Sequence, residues 1–132
     1  MIDTNAYVAF MRGDELVAEV LVYAEKLYLN SIVMGELLSG FRIGKQERKN
    51  REELARFLES PRVTVLAVTA ATADCYALIY KNLRKKGRPI PTNDLWVSAS
   101  TIEHGAALLT LDSHFSAVDG LQCGQQIEDF LS

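Results

Sequence analysis

The chain has 132 residues, a length typical of one domain, and at that size folding buries roughly two-thirds of the surface that the unfolded chain exposes. Apolar residues make up 48% and charged residues 23% of the sequence, which excludes an intrinsically disordered protein. The formal net charge of −3 is not the overall signature of a nucleic-acid-binding protein, although it is compatible with a local basic patch. The sequence has no signal peptide and no apolar stretch of the ~18 residues that span a membrane, so we predict a cytoplasmic protein.

Hydrophobic periodicity divides the chain into alternating strands and helices. Short apolar or β-branched runs predict strands, and longer runs with a period of about 3.6 residues predict helices. In chain order the predicted elements are a strand end at 1–3, helices at 5–11 and 14–24, a buried strand at 26–30, helices at 32–41 and 46–59, a buried strand at 63–68, helices at 72–86 and 92–104, strands at 106–111 and 121–123, and a helix at 125–131.

Local signals place the ends and the buried faces of several helices. Ser31 and Thr92 are predicted N-caps, and Gly105 is the predicted C′ residue that ends the 92–104 helix. Strands that alternate with helices predict an α/β fold, specifically a single-domain, three-layer α/β/α sandwich with a mostly parallel central sheet over residues 1–132. The buried helix faces are predicted from Leu16, Val20 and Tyr23 in the second helix, and from Tyr76, Ile79, Tyr80 and Leu83 in the 72–86 helix.

Four acidic residues fall where proteins with parallel sheets bind their ligands. Asp3 ends the first strand, and Asp112 follows the 106–111 strand. Asp94 lies in the first turn of a helix, and Glu36 lies in the second turn of another. Because helices in such a sheet begin at the edge where the strands end, we expect all four carboxylates to converge on one rim.

Each acid also has an ordinary structural explanation. Asp3 and Asp112 are suitable N-caps for the segments that follow them. Asp94 complements the positive end of a helix dipole, and Glu36 fits a solvated position. Taken singly, each of these explanations is favoured over a catalytic one, because helix caps are common and catalytic acids are rare, and only the combination of the four acids favours a site.

A cluster of four carboxylates needs a counterion. Two carboxylates ~5 Å apart repel by about 3 kcal/mol at an effective dielectric constant near 20. Oxygen-only ligands suit Mg²⁺ or Mn²⁺, and the two histidines and two cysteines of the chain form no motif typical of zinc. Because a divalent ion activates water and orients a phosphate oxygen, phosphodiester hydrolysis is the reaction that fits best.

Four short segments carry a more specific signal through their order and spacing, which cover nearly the whole chain. They are Ile2-Asp3-Thr4-Asn5, Gly35-Glu36-Leu37, Pro91-Thr92-Asn93-Asp94-Leu95-Trp96 and Leu109-Thr110-Leu111-Asp112-Ser113-His114-Phe115. Each is weak alone. Together they resemble the motifs of PIN-domain ribonucleases, and within that family those of the VapC-type toxins of bacterial and archaeal toxin–antitoxin pairs.

The resemblance implies an endoribonuclease that binds Mg²⁺ or Mn²⁺ and cuts single-stranded or looped RNA, often transfer RNA, to leave a 5′-phosphate and a 3′-hydroxyl. It also implies a homodimer and an antitoxin partner whose C-terminal segment enters a groove on the early helices. Only two residues precede Asp3, fewer than is usual in the family, so we expect a short first strand. The residues that the resemblance assigns to metal binding and catalysis are Asp3, Glu36, Asp94 and Asp112, with Thr110, Asn5 and Asn93 as supporting polar groups.

Two other functions remain as alternatives. A catalytically silent PIN module would bind RNA or a protein partner without cleaving it. A phosphatase of the haloacid dehalogenase type, or a receiver domain, is disfavoured, because such a phosphatase has a second acid at the position that Asn5 occupies. A basic cluster could either contact phosphate or simply end a helix in solvent, and it consists of Lys81, Arg84, Lys85, Lys86 and Arg88.

Overall fold

The computed structural model describes residues 1–131, and Ser132 of the predicted domain lies outside them. Helices and strands alternate in much the predicted order. Two 3-10 helices, at Ser113–Ala117 and Ile127–Phe130, complete the fold. The elements are α1 Thr4–Met11, α2 Glu15–Tyr23, β1 Leu27–Asn30, α3 Ser31–Ile43, α4 Glu47–Leu58, β2 Val63–Leu66, α5 Ala70–Lys86, α6 Thr92–Glu103, β3 Leu108–Leu109 and β4 Cys123–Gly124.

The strand pairs of the described residues are parallel, as predicted. β1 pairs with β2, and β3 pairs with β4. Residues 1–3 lie between the two pairs, because the Ile2 N–H donates to the Tyr28 carbonyl at 2.9 Å and the Asp3 N–H donates to the Leu109 carbonyl at 2.9 Å. This first segment makes only a single bridge, between Ile2 and Leu109, so the expectation of a short first strand is confirmed.

Two apolar clusters hold the helices to this sheet. The larger contains the strands and α1 to α4, with Leu29, Val33, Leu108 and Phe115 completely buried. The smaller lies between α5, α6 and the 3-10 helix that follows β3. Burial of each large apolar side chain stabilises the fold by about 1.5–3 kcal/mol, so these clusters hold the carboxyl edge of the sheet in place.

Two predicted helix caps are wrong, and a third is right. Asn30, rather than Ser31, caps α3, because its Oδ1 accepts the Ile32 N–H at 2.7 Å. Pro91 is the N-cap residue of α6, so Thr92 is the first residue inside the helix and no side chain caps it. Gly105 has a φ of +62°, the left-handed conformation expected just after a helix end.

Four further predictions about burial and helix type are wrong. In α2 the inward residues are Val17, Val20 and Leu21, whereas Leu16 and Tyr23 are 52% and 60% exposed. The β2 strand is not fully buried, because it lies at the edge of the sheet. The C-terminal α-helix is replaced by the short 3-10 helix. On α5, Tyr80 is 48% exposed, whereas Ile79 and Leu83 are buried as predicted.

Among residues 1–131, no helix combines the length and the apolar character needed to cross a membrane.

Candidate active site

The four predicted acids line one cleft at the carboxyl edge of the sheet. The cleft has a volume of about 520 Å³, and Asp3, Glu36, Asp94 and Asp112 all contribute to its wall. Each comes from a different part of the chain, and each lies at a strand end or in an early helical turn. The predicted convergence on one rim is therefore confirmed.

Asp3 is the most deeply buried of these acids, with 5% of its surface exposed. Its Oδ1 accepts the Thr4 N–H at 2.9 Å, and its Oδ2 accepts the Thr110 hydroxyl at 2.7 Å. Burial raises the pKa of Asp3, repulsion from Asp94 and Glu36 raises it further, and the two hydrogen bonds oppose the rise. The pKa of Asp3 is therefore raised mainly because burial disfavours the charged carboxylate, and the two neighbouring acids add to this effect.

Glu36 is oriented by two polar side chains from other elements. Thr4 donates its hydroxyl to Glu36 Oε1 at 2.6 Å, and Asn93 donates from Nδ2 to Oε2 at 3.4 Å. Glu36 is therefore not the freely solvated helix residue that was its structural alternative. The supporting contact expected of Asn93 is present, whereas the sequence analysis assigned no role to Thr4 although it lies in the first motif.

Two of the acids, Asp3 and Asp112, both cap a helix and line the cleft. Asp3 is the N-cap of α1. Asp112 caps the 3-10 helix that it precedes, because its Oδ1 accepts the His114 N–H at 3.1 Å. The Asp112 N–H in turn donates to Thr110 Oγ1 at 3.1 Å, so the loop that carries this acid is tied to Asp3 through Thr110. Asn5 supports the same loop, because its Oδ1 accepts the Leu111 N–H at 3.0 Å.

His114 joins two of the acids. Its Nε2 lies 2.5 Å from Asp94 Oδ2, and its Nδ1 lies 2.5 Å from Asp112 Oδ1. His114 lies two residues after Asp112 in the fourth motif, but the sequence does not predict its contact with Asp94, which is 20 residues away. His104, the other histidine, ends α6, and its Nδ1 lies 2.8 Å from the Ser100 carbonyl oxygen.

The donor set fits a hard divalent cation. Carboxylates dominate it, and the pKa of Asp3 is raised by burial and by repulsion from its acidic neighbours. Arg12 is the cleft-lining residue with a positive charge, but it is exposed at the surface. A divalent ion would supply the missing positive charge inside the cleft.

Replacing Asp3 with asparagine is expected to stabilise the metal-free protein at neutral pH. The pKa of Asp3 is raised in the folded state, so ionisation destabilises the fold as pH rises above the unfolded value of 3.8. Asparagine caps a helix about as well as aspartate, and it carries no charge. We expect a gain on the order of 1 kcal/mol at pH 7 in chelator, measured as a rise of a few degrees in Tm, and no gain at pH 3.

Asp14→Asn is the matched control, because Asp14 is the N-cap of α2 and lies outside the cleft. It should leave Tm nearly unchanged at both pH values. A lower Tm for Asp3→Asn than for the wild type at pH 7 in chelator would contradict the prediction that the charge on Asp3 destabilises the metal-free fold.

The comparison with protein families decides the identity of the fold. The family model described as PIN domain matches residues 1–121. The chain belongs to the PIN-domain family. This result confirms the predicted family and excludes the alternative of a dehalogenase-type phosphatase or receiver domain.

Relatives of this PIN domain are VapC ribonucleases. Ribonuclease VapC1 of Rickettsia felis is 33% identical over 125 residues, which cover 92% of each chain. Ribonuclease VapC1 of Haemophilus influenzae is 31% identical over 129 residues, which cover 92% of this chain and 93% of the relative. The chain therefore belongs with the VapC ribonucleases, and the predicted function class is confirmed.

Solved structures support the same assignment. VapBC2 from Rickettsia felis, bound to a DNA fragment from its promoter, matches with a TM-score of 0.83 and 26% identity over 94% of this chain and 96% of that chain. VapBC-1 from nontypeable Haemophilus influenzae matches with a TM-score of 0.82 and 26% identity over 94% and 95%. The predicted α/β/α fold is confirmed.

Proposed function

We propose that this PIN domain is the toxin of a toxin–antitoxin pair and hydrolyses RNA phosphodiester bonds with Mg²⁺ or Mn²⁺ as cofactor. The observation that carries the proposal is the meeting of Asp3, Glu36, Asp94 and Asp112 in one cleft. These four residues are the proposed metal ligands and catalytic residues. When bound, such an ion supplies an activated water and neutralises charge on the phosphate oxygens.

The residues around the acids hold them in position before any ligand arrives. Thr4 contacts both Asp3, through its backbone N–H, and Glu36, through its hydroxyl. Thr110 links Asp3 to the Asp112 loop. Because these hydrogen bonds fix two of the four carboxylates and the backbone that carries a third, little reorganisation is needed when a cation and a phosphate enter.

We propose that RNA approaches the cleft past Arg12, which lines it and offers a charge to a phosphate oxygen. The basic cluster at the end of α5 does not line the cleft. Within it, Lys86 forms an ion pair with Asp119 and donates to the Ala117 carbonyl, which supports a structural role for that lysine. Transfer RNA as the target stays a proposal from the family resemblance.

Apolar residues of α1 and α3 are the candidates for the antitoxin groove that the resemblance places on the early helices. Tyr7 and Phe10 pack against Phe57 in the core, with the Tyr7 ring in edge-to-face contact at 5.4 Å. Tyr7, Met11 and Phe41 line a surface pocket of about 230 Å³ that shares Arg12 with the acidic cleft. We propose that an antitoxin segment occupies this pocket and that the toxin forms a homodimer, as the resemblance implies.

A catalytically silent PIN module is the competing function. Loss of one of the acids would favour it, but all four lie in the cleft with defined partners. The acidic cleft therefore favours the nuclease.

The purified chain is expected to cleave structured RNA only when a divalent cation is present. The repulsion among the carboxylates must be neutralised before a phosphate, itself an anion, can enter the cleft. A mixture of transfer RNAs incubated with Mg²⁺ or Mn²⁺ should yield fragments with 5′-phosphates, detected by end labelling. Excess chelator should stop the reaction, and added metal should restore it.

Cleavage that persists in chelator would reject the metal-dependent mechanism. RNA binding without fragments in either metal would instead support the silent module. A heat-inactivated sample of the same preparation controls for contaminating nucleases, which commonly survive heating.

A further inference from the structure

His114 places both of its ring nitrogens beside proposed metal ligands. Each ring nitrogen lies 2.5 Å from a carboxylate oxygen, one on Asp94 and one on Asp112. A neutral imidazole has one N–H, so it donates to only one of these acids and points a lone pair towards the other. When one ring nitrogen donates to a carboxylate, the other nitrogen presents a lone pair that can bind a cation together with the neighbouring carboxylate.

The ring of His114 is held in this orientation from both sides. It stacks on the completely buried ring of Phe115, with centroids 5.2 Å apart and planes 19° from parallel. Its backbone N–H is bonded to Asp112 Oδ1 at 3.1 Å. A carboxylate that accepts one ring N–H and so directs the other nitrogen is the usual partner of a metal-binding histidine.

Distances among the donor atoms allow one ion to be shared. Ligand atoms of Asp94, Asp112 and His114 all lie within 4.8 Å of one another. Two ligands on opposite sides of one ion are separated by roughly 4.2 Å, twice the usual metal–oxygen distance of about 2.1 Å. Small side-chain movements are therefore enough to bring all three to one cation.

We propose that His114 is a nitrogen ligand of the cation in the acidic cleft and that it makes the site prefer Mn²⁺ to Mg²⁺. The inference rests on the proposed metal-dependent function, because the acids supply the other ligands. An imidazole nitrogen binds first-row transition metals better than it binds Mg²⁺, which takes oxygen ligands, and Mn²⁺ belongs to that series although it is its weakest binder. The chain thus departs from the oxygen-only site that its four acids predict.

The test compares metal binding by the untagged wild-type chain with His114→Asn. Free Mn²⁺ is measured by electron paramagnetic resonance, and Mg²⁺ is measured by its competition with Mn²⁺. We expect His114→Asn to weaken Mn²⁺ binding by about 10–100-fold and Mg²⁺ binding by less than about threefold. His104→Asn is the matched control, because the chain has only two histidines and this one lies at the end of α6, and it should change neither affinity.

A spectroscopic readout on the wild-type chain makes the test independent of how the variant folds. Electron spin echo modulation of bound Mn²⁺ should show coupling to an imidazole nitrogen, retained in His104→Asn and lost in His114→Asn. Mn²⁺ binding without this coupling, or an equal loss of Mn²⁺ and Mg²⁺ affinity, would overturn the ligand role but leave the proposed nuclease standing. A wild-type chain that binds neither metal would overturn both proposals.

Discussion

Replacing Asp94 with asparagine is expected to reduce RNA cleavage by at least about a thousandfold, equivalent to ~4 kcal/mol of transition-state stabilisation. Asp94 lines the cleft, contacts His114 at 2.5 Å and contributes to the raised pKa of Asp3. The substitution removes one charge from the proposed metal site while keeping the side chain's size. Initial rates of RNA cleavage in saturating Mg²⁺ and Mn²⁺ give the measurement.

The fold should survive this substitution. α6 is held by the buried residues Leu95, Val97 and Ala99, which do not change. Asp74→Asn is the matched control, because Asp74 is exposed on α5 and outside the cleft, and it should retain full activity. Activity of Asp94→Asn within about tenfold of wild type, with an unchanged melting curve, would remove Asp94 from the catalytic centre.

The second large effect is expected at Phe115, where substitution by alanine should cost about 3–5 kcal/mol of unfolding free energy. Phe115 has no exposed surface and lies in the larger apolar cluster. It also supports the His114 ring by stacking. The cavity left by alanine therefore weakens both the core and the loop that carries Asp112, and urea denaturation measures the loss.

Two further variants test whether the loss of stability comes from the buried position of the side chain and not from its apolar character alone. Phe115→Leu keeps most of the apolar volume and should cost much less than Phe115→Ala. Ile43→Ala removes a large apolar side chain that is 87% exposed, and it should change stability by less than about 0.5 kcal/mol. A loss below about 1.5 kcal/mol for Phe115→Ala would contradict its place in the core.

The wrong predictions share a physical cause, namely packing between elements that are distant in sequence. The helical period predicted for α2 is correct. Its buried face, however, is rotated by about one residue from the predicted face, so that Val17 and Leu21 point inward. Each residue turns a helix by about 100°, so a small ambiguity in the apolar pattern exposes Leu16. β2 has the composition of a buried strand but lies at the edge of the sheet, and composition does not reveal strand order.

The bonding partners of the supporting residues were equally hard to predict, even for Thr110, which the resemblance had named. Thr4 bonds to Glu36, 32 residues away, and Thr110 bonds to Asp3, 107 residues away. Such partners follow from the order of strands in the sheet, which local patterns do not encode. The LTLDSHF motif contained His114, but nothing in it pointed to Asp94.

The sequence by itself determined the α/β class, the parallel strands and the four acids at the carboxyl edge. It could do so because hydrophobic period and turn residues are local, and because parallel strands direct their ends to one edge. Only the tertiary structure decided how the acids are held, through Thr4, Thr110 and Asn93. It also decided that His114 lies between Asp94 and Asp112, because that contact depends on how the loop after β3 packs against the start of α6.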